Sequence, residues 1–123
     1  MNILVSNDDG IKARGLAELT KALSKKGRVY VCAPDSQRSA SSHALSVNNE
    51  ITMKKTDFEG AEMAFEVGGT PADCVKLGLY VLRKMGIDID IVYSGINHGG
   101  NLGTDTMYSG TVSAAAEGVF NGL

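Results

Sequence analysis

Apolar positions along this chain fall in short blocks whose spacing alternates between strand and helix periods. Ile3-Leu4-Val5 is an uninterrupted apolar run that passes into Ser6-Asn7-Asp8-Asp9-Gly10. An apolar run this short, closed by acids and glycine, predicts a strand buried on both faces of a parallel sheet. Over residues 15–26, Leu16, Leu19 and Leu23 recur at helical spacing and Gly27 supplies a stop, predicting an amphipathic helix. Residues 28–33 form a second strand block, closed by Pro34-Asp35. Strand, helix and strand in succession predict a βαβ unit with a right-handed crossover.

The second half continues the alternation. Residues 36–46 are polar, with serines at 36, 39, 41, 42 and 46, and read as a loop over the sheet's carboxyl edge. Residues 44–53 and 61–67, separated by the turn-like Asp57-Phe58-Glu59-Gly60, are expected to form a hairpin. Gly68-Gly69-Thr70-Pro71-Ala72-Asp73 announces a helix, with Thr70 as N-cap, Pro71 first and Asp73 third, running to about Met85 and stopping at Gly86. Residues 87–93 predict another strand, followed by the glycine-rich 94–103. A last helix begins near Ser109-Gly110-Thr111 and is expected to carry Val112, Ala115, Ala116, Val119 and Phe120 inward, its small residues packing closely on the sheet. There is no repeat and no linker, so 123 residues read as one α/β domain, 1–123, around a mostly parallel sheet.

Composition narrows the picture by exclusion. A net charge of −2 with 43% hydrophobic and 21% charged residues gives no reason to expect nucleic acid or a membrane surface as partner. No apolar run approaches the roughly 20 residues of a spanning helix, and no signal-peptide pattern opens the chain. A cytoplasmic location is therefore expected, with Cys32 and Cys74, both inside apolar segments, as reduced core thiols. From Met85 to Leu123 there is no Lys or Arg. An anion bound by this half must therefore be held by backbone amides, helix dipoles or a metal ion.

The candidate chemistry lies in the loops. Asp8 and Asp9 follow a strand at the edge where parallel sheets bind ligands. Adjacent carboxylates repel unless a cation or donors neutralise them; a metal site and a plain helix cap both fit that pair. Three loops, 7–10, 36–42 and 94–103, are expected to leave the same edge, offering carboxylates, hydroxyls and the amide oxygen of Asn97. Hard oxygen donors favour Mg²⁺, Mn²⁺ or Ca²⁺ over Zn²⁺. Tyr108-Ser109-Gly110-Thr111-Val112 places amides and hydroxyls at a helix start, which suits a phosphate but also suits a simple N-cap. The 97–103 loop is equally open to reading as a structural turn. His43 and His98 read as loop histidines without a catalytic role.

Taken in order, Val5-Ser6-Asn7-Asp8-Asp9-Gly10, Ala33-Pro34-Asp35 with Arg38-Ser39, Gly69-Thr70-Pro71 with Asp73-Cys74, Ser94-Gly95-Ile96-Asn97 with Gly99 and Asn101-Leu102-Gly103, and Tyr108-Ser109-Gly110-Thr111-Val112 with Ala115 and Glu117-Gly118 resemble the stationary-phase survival protein SurE family over essentially the whole chain. The resemblance implies a Rossmann-like, three-layer αβα fold. It also implies a divalent-metal-dependent phosphatase acting on nucleoside 5′- and 3′-monophosphates, some members also cleaving short polyphosphate. Carried over position by position, Asp8, Asp9, Ser39 and Asn97 would hold one Mg²⁺ or Mn²⁺ per subunit, with Ca²⁺ able to stand in. Asn97, Ser109, Gly110 and Thr111 would surround the phosphate. Asp8 and Asp9 would be catalytic, with Asp8 either a nucleophile or only a metal ligand. Family members run to roughly twice this length. The chain is therefore expected to lack their C-terminal half and to leave an exposed sheet edge, with a homodimer or tetramer expected of the full-length form. Two other functions stay open: a nucleotide-binding domain without turnover, and a two-component receiver. A receiver needs a phospho-accepting Asp after its third strand and a Lys after its fifth, whereas Asp57 sits in a turn and no Lys follows Lys84.

Overall fold

Along the first strand, β1 (Asn2–Ser6), Ile3 and Val5 face one side of a sheet and Leu4 faces the other, and all three are fully buried. Both faces are covered, so the apolar run shows no alternation. The computed structural model describes residues 1–38, 44–46, 48 and 50–123. Four further strands are β2 (Arg28–Pro34), β3 (Met53–Thr56), β4 (Met63–Val67) and β5 (Ile91–Ser94). The sheet order is β3-β4-β2-β1-β5, parallel throughout except for β3, which runs antiparallel to β4. Helix α1 (Arg14–Leu23) covers one face through Leu16, Leu19 and Leu23 against Ile3, Val5, Val29 and Val31. Helices α2 (Pro71–Lys84) and α3 (Gly110–Phe120) cover the other, where Leu4, Cys32, Cys74, Val75, Leu82 and Ala114 form the core. The α/β, three-layer expectation holds.

The local signals account for most element ends. Thr70 accepts a hydrogen bond from the Asp73 amide at 3.1 Å, and the Asp73 carboxylate accepts from the Thr70 amide at 2.9 Å. This closes a capping box around Pro71. Asp73 is buried, which raises its pKa. The amide of Thr70, the amide and hydroxyl of Ser46, and the Thr70 hydroxyl more than offset that, and the carboxyl lies below its ordinary value. Gly78 lets α2 approach β2, since a Cβ there would stand 3.0 Å from that of Cys32. Cys32 and Cys74 are free and buried; burial, and then the neighbouring Cys32, push the Cys74 thiol far up. Among the described residues no helix is long and apolar enough to cross a membrane.

Three expectations need correction. The first hairpin strand starts at Met53, not at 44, because Ser46 and Ala44 dock instead on the start of α2 through Asp73 and Thr70. Strand β5 starts at Ile91, not at 87; Ile87 and Ile89 pack into the core below α2 instead. Between the glycine-rich segment and the last helix, where the sequence predicts no element, residues 103–108 form a 3₁₀ turn. Helix α3 turns a different face to the sheet: Ser113, Ala114, Glu117 and Gly118 are buried, while Val112, Ala115, Val119 and Phe120 are exposed and Ala116 is half-buried. Close approach decides this, since a Cβ on Gly118 would lie 2.9 Å from that of Val92. Only small side chains fit that seam, so the expected close packing holds with the apolar residues outside it.

Candidate metal centre

Strand β1 lies between β2 and β5. The chain leaves it toward β2 on one side and returns to β5 on the other, so the crevice at a switch in strand order opens at its carboxyl end. Asp8 and Asp9 occupy that position. The turn that carries them is built by Asn7, wholly buried, whose amide donates to the Gly10 carbonyl at 2.9 Å. Gly10 has φ +99°, and a Cβ there would meet the Ser36 carbonyl carbon at 3.2 Å. Glycine is needed at this position on both counts.

Two loops and a helix start converge on the turn of these aspartates by hydrogen bonds. The amide of Arg38 donates to the Asp8 carbonyl at 2.7 Å, tying in the loop after β2. The amide of Gly95 donates to the Ser6 carbonyl at 2.9 Å, and that of His98 to Asp9 Oδ2 at 3.2 Å, tying in the loop after β5. The start of α3 joins them through Thr111, whose hydroxyl donates to Asp8 Oδ1 at 2.7 Å. Beside Arg38, Asp35 is held below its ordinary pKa by the Ser36 hydroxyl and by the Arg38 guanidinium at 3.1 Å, against a smaller opposing effect of burial.

Every expected site residue except Ser39 falls among the described residues. Asp8 is 7% exposed and Asp9 half-buried. Asn97 is half-buried; its amide nitrogen donates to the Gly99 carbonyl at 3.1 Å, so the amide oxygen is the atom it could offer a cation. Asp9 and Asn97 line one open cleft of about 550 Å³ with Arg14, Glu18, Gln37 and His98. Ser39 and His43 lie outside the described residues. Ser109 is the N-cap of α3, its oxygen accepting from the Val112 amide at 3.2 Å, and Gly110 is buried in the first turn. His98 reaches the site through its backbone amide, with its side chain exposed.

The donor set fits a hard cation. Two adjacent carboxylates, one of them buried, receive only neutral donors, and among the described residues neither is in an ion pair. Beside them the buried Asn7 Oδ1 has no hydrogen-bond partner. Negative charge gathered without a counterion among the described residues accommodates a divalent ion with oxygen ligands. Among the described residues there is no cluster of three His, Cys, Asp or Glu; an oxygen set of two carboxylates completed by an amide needs none.

Sequence reasoning missed Arg14 and Glu18 as parts of this cleft. Their signal was their i, i+4 spacing on the first turns of the helix that follows the Asp8-Asp9-Gly10 turn. A more enclosed hollow of about 530 Å³ beneath α2 is lined by Ile51, Leu77, Tyr80, Ile87 and Ile89. It contains neither Asp8 nor Asp9; Asp9 and Asn97 line the open cleft, whereas Asp8, Ser109, Gly110 and Thr111 are not among the residues lining it. Asp57, in turn, follows the antiparallel β3, at the opposite edge of the sheet from Asp8, where a receiver's phospho-acceptor does not sit.

Comparison with known proteins gives one family. The model of survival protein SurE matches residues 3–123. The 5′-nucleotidase SurE of Petrotoga mobilis is 53% identical over 99% of this chain and 48% of its own length. That of Clostridium beijerinckii is 50% identical over 100% of this chain and 48% of its own. The crystal structure of the SurE protein from Aquifex aeolicus superposes with a TM-score of 0.86 at 43% identity, over 100% of this chain and 48% of that one. This chain thus spans about half the length of the curated relatives it matches. It belongs to the survival protein SurE family.

Proposed function

We propose that the protein is a divalent-metal-dependent phosphomonoesterase that hydrolyses nucleoside 5′-monophosphates, with 3′-monophosphates and short polyphosphate as further substrates. The observation that carries this reading is the convergence of two loops and a helix start on the turn that bears the Asp8-Asp9 pair. The nucleotidase names of relatives about 50% identical point the same way.

Asp8, Asp9 and the amide oxygen of Asn97 would hold one Mg²⁺ or Mn²⁺, with the Ser39 hydroxyl from the neighbouring loop as a further ligand. When bound, such an ion polarises a phosphoryl oxygen and lowers the pKa of water. The protein's part is positioning. The His98 amide fixes one oxygen of Asp9, and the glycine-rich loop carries Asn97 to the same cleft. Arg14, the one cationic side chain among the described residues lining that cleft, attracts the phosphate dianion. Amides of the first turn of α3, at Gly110 and Thr111, stabilise charge on the phosphoryl oxygens.

Phosphate release from a panel of nucleoside 5′- and 3′-monophosphates, with Mn²⁺ and with EDTA, tests the reading. Turnover with Mn²⁺ that EDTA abolishes is expected. Turnover that survives EDTA overturns the metal dependence. Calorimetric binding of a nucleotide without turnover makes this half-length chain a binding domain.

A further inference from the structure

The start of α3 carries a hydroxyl that touches a carboxylate 103 residues away in sequence. We infer that Thr111 is a positioning residue whose hydroxyl holds Asp8 Oδ1, so that Asp8 presents its other oxygen to the cation. The inference rests on the metal-centre reading above and gives the Thr111 hydroxyl, as distinct from the backbone amides of the same turn, a task other than phosphate contact.

Proton counting comes first. A threonine hydroxyl has one proton to donate. At 2.7 Å it is donated to Asp8 Oδ1, in the range of a strong bond to an ionised acceptor. While that bond stands, the hydroxyl offers a phosphate oxygen only lone pairs, which an anion repels. Thr111 cannot serve both partners at once.

Geometry comes second. The terminal torsion of an aspartate is soft and roughly two-fold, so an unheld Asp8 exchanges its oxygens and approaches a cation through one or both. Asp8 is 7% exposed and, among the described residues, has no cationic partner to orient it. The hydroxyl does that. Thr111 is itself fixed: its β-branched side chain is stiff, Ser109 caps the turn it sits in, and Gly118 against Val92 sets the height of α3 on the sheet. Metal ligands held in this way by outer partners bind more tightly, and losing the partner costs about 10- to 100-fold in affinity or activity.

The test is Mn²⁺ titration by calorimetry without substrate, on this chain and on Thr111→Val, Thr111→Ala and Thr111→Ser, with kcat and KM measured beside it. The expected result is Mn²⁺ affinity reduced about 10-fold or more in the Val and Ala variants and restored to within about threefold in Ser, which keeps the hydroxyl. Raising Mn²⁺ should recover their turnover with KM for nucleotide nearly unchanged. Unchanged Mn²⁺ affinity with a raised KM would return Thr111 to the phosphate and overturn the inference. Failure of both Val and Ala variants to fold, read by circular dichroism, would overturn it too, in favour of a purely structural role. If the unsubstituted chain binds no Mn²⁺, or Asp8→Asn binds it undiminished, the metal reading itself fails, and this inference with it.

Discussion

Gly15 lies where the first turn of α1 meets the loop that carries Asn97, and replacing it with alanine probes how that loop is held. A Cβ built on Gly15 would overlap the carbonyl oxygen of Ile96 and stand 3.1 Å from its carbonyl carbon. Non-bonded carbon atoms rest at about 3.5–4.0 Å, so the loop or the helix must shift by on the order of 1 Å. Overpacking of this kind costs about 1–3 kcal/mol. The higher helix propensity of alanine returns at most about 1 kcal/mol, so net destabilisation is modest. The effect on function is larger, because the displaced segment runs directly into Asn97 and into the His98 amide that holds Asp9 at 3.2 Å. A misplacement of about 1 Å at a reacting centre can cost about 100-fold. Gly15→Ala should therefore fold, lose a few degrees of melting temperature, and lose Mn²⁺ affinity and turnover together. Calorimetry with Mn²⁺, phosphate release and a thermal melt on one preparation would show it. Undiminished Mn²⁺ affinity and turnover would refute the claim that the packing of α1 against the loop positions the metal ligands.

Asp9→Asn should abolish turnover of p-nitrophenyl phosphate with Mn²⁺ while leaving the circular dichroism spectrum unchanged; near-normal rates would remove Asp9 from the centre. Arg14→Ala, on an exposed side chain at the cleft wall, should raise KM for nucleotides about 10-fold with kcat nearly kept, and Arg14→Lys should recover most of it; equal KM in all three would deny it a substrate contact. Asp73 is the stability probe. Its folded-state pKa lies below the ordinary 3.8, so the carboxylate adds stability above that value and loses it as the pH falls through the lower folded one. Asp73→Asn should cost about 1 kcal/mol at neutral pH, and the gap to the parent chain, read by urea melts, should close in acid below pH 3.8. A gap independent of pH would contradict the assignment.

Much of the fold was legible because its signals are local. Thr70, Pro71 and Asp73 announce the start of α2 by side-chain chemistry that the capping box reproduces. The unalternating Ile3-Leu4-Val5 run fixes β1 as central. The face of α3 was not legible, because hydrophobicity favours Val112, Val119 and Phe120 while the distance to β5 admits only residues such as Gly118. That distance is a property of the assembled layers. Likewise, Ala44 and Ser46 carry no mark that Thr70 and Asp73 would draw them onto the start of α2 and out of the hairpin.

At the site, the acidic pair and the three loops were readable from position alone, since strand ends in a parallel sheet share one edge. Partner choice was not. Ser109 capping its own helix and Thr111 reaching Asp8 are both compatible with the same Ser-Gly-Thr pattern that suits a phosphate. Arg14 and Glu18 carry no chemical signal in the sequence beyond their spacing, and only the fold brings them to the cleft.

Anomalous scattering from crystals grown with Mn²⁺ is the most direct measurement of the central claim. One strong peak is expected, within about 2.5 Å of oxygens from Asp8, Asp9 and Asn97. A Mn²⁺ peak bound elsewhere, with the two aspartates coordinating nothing, would contradict the account.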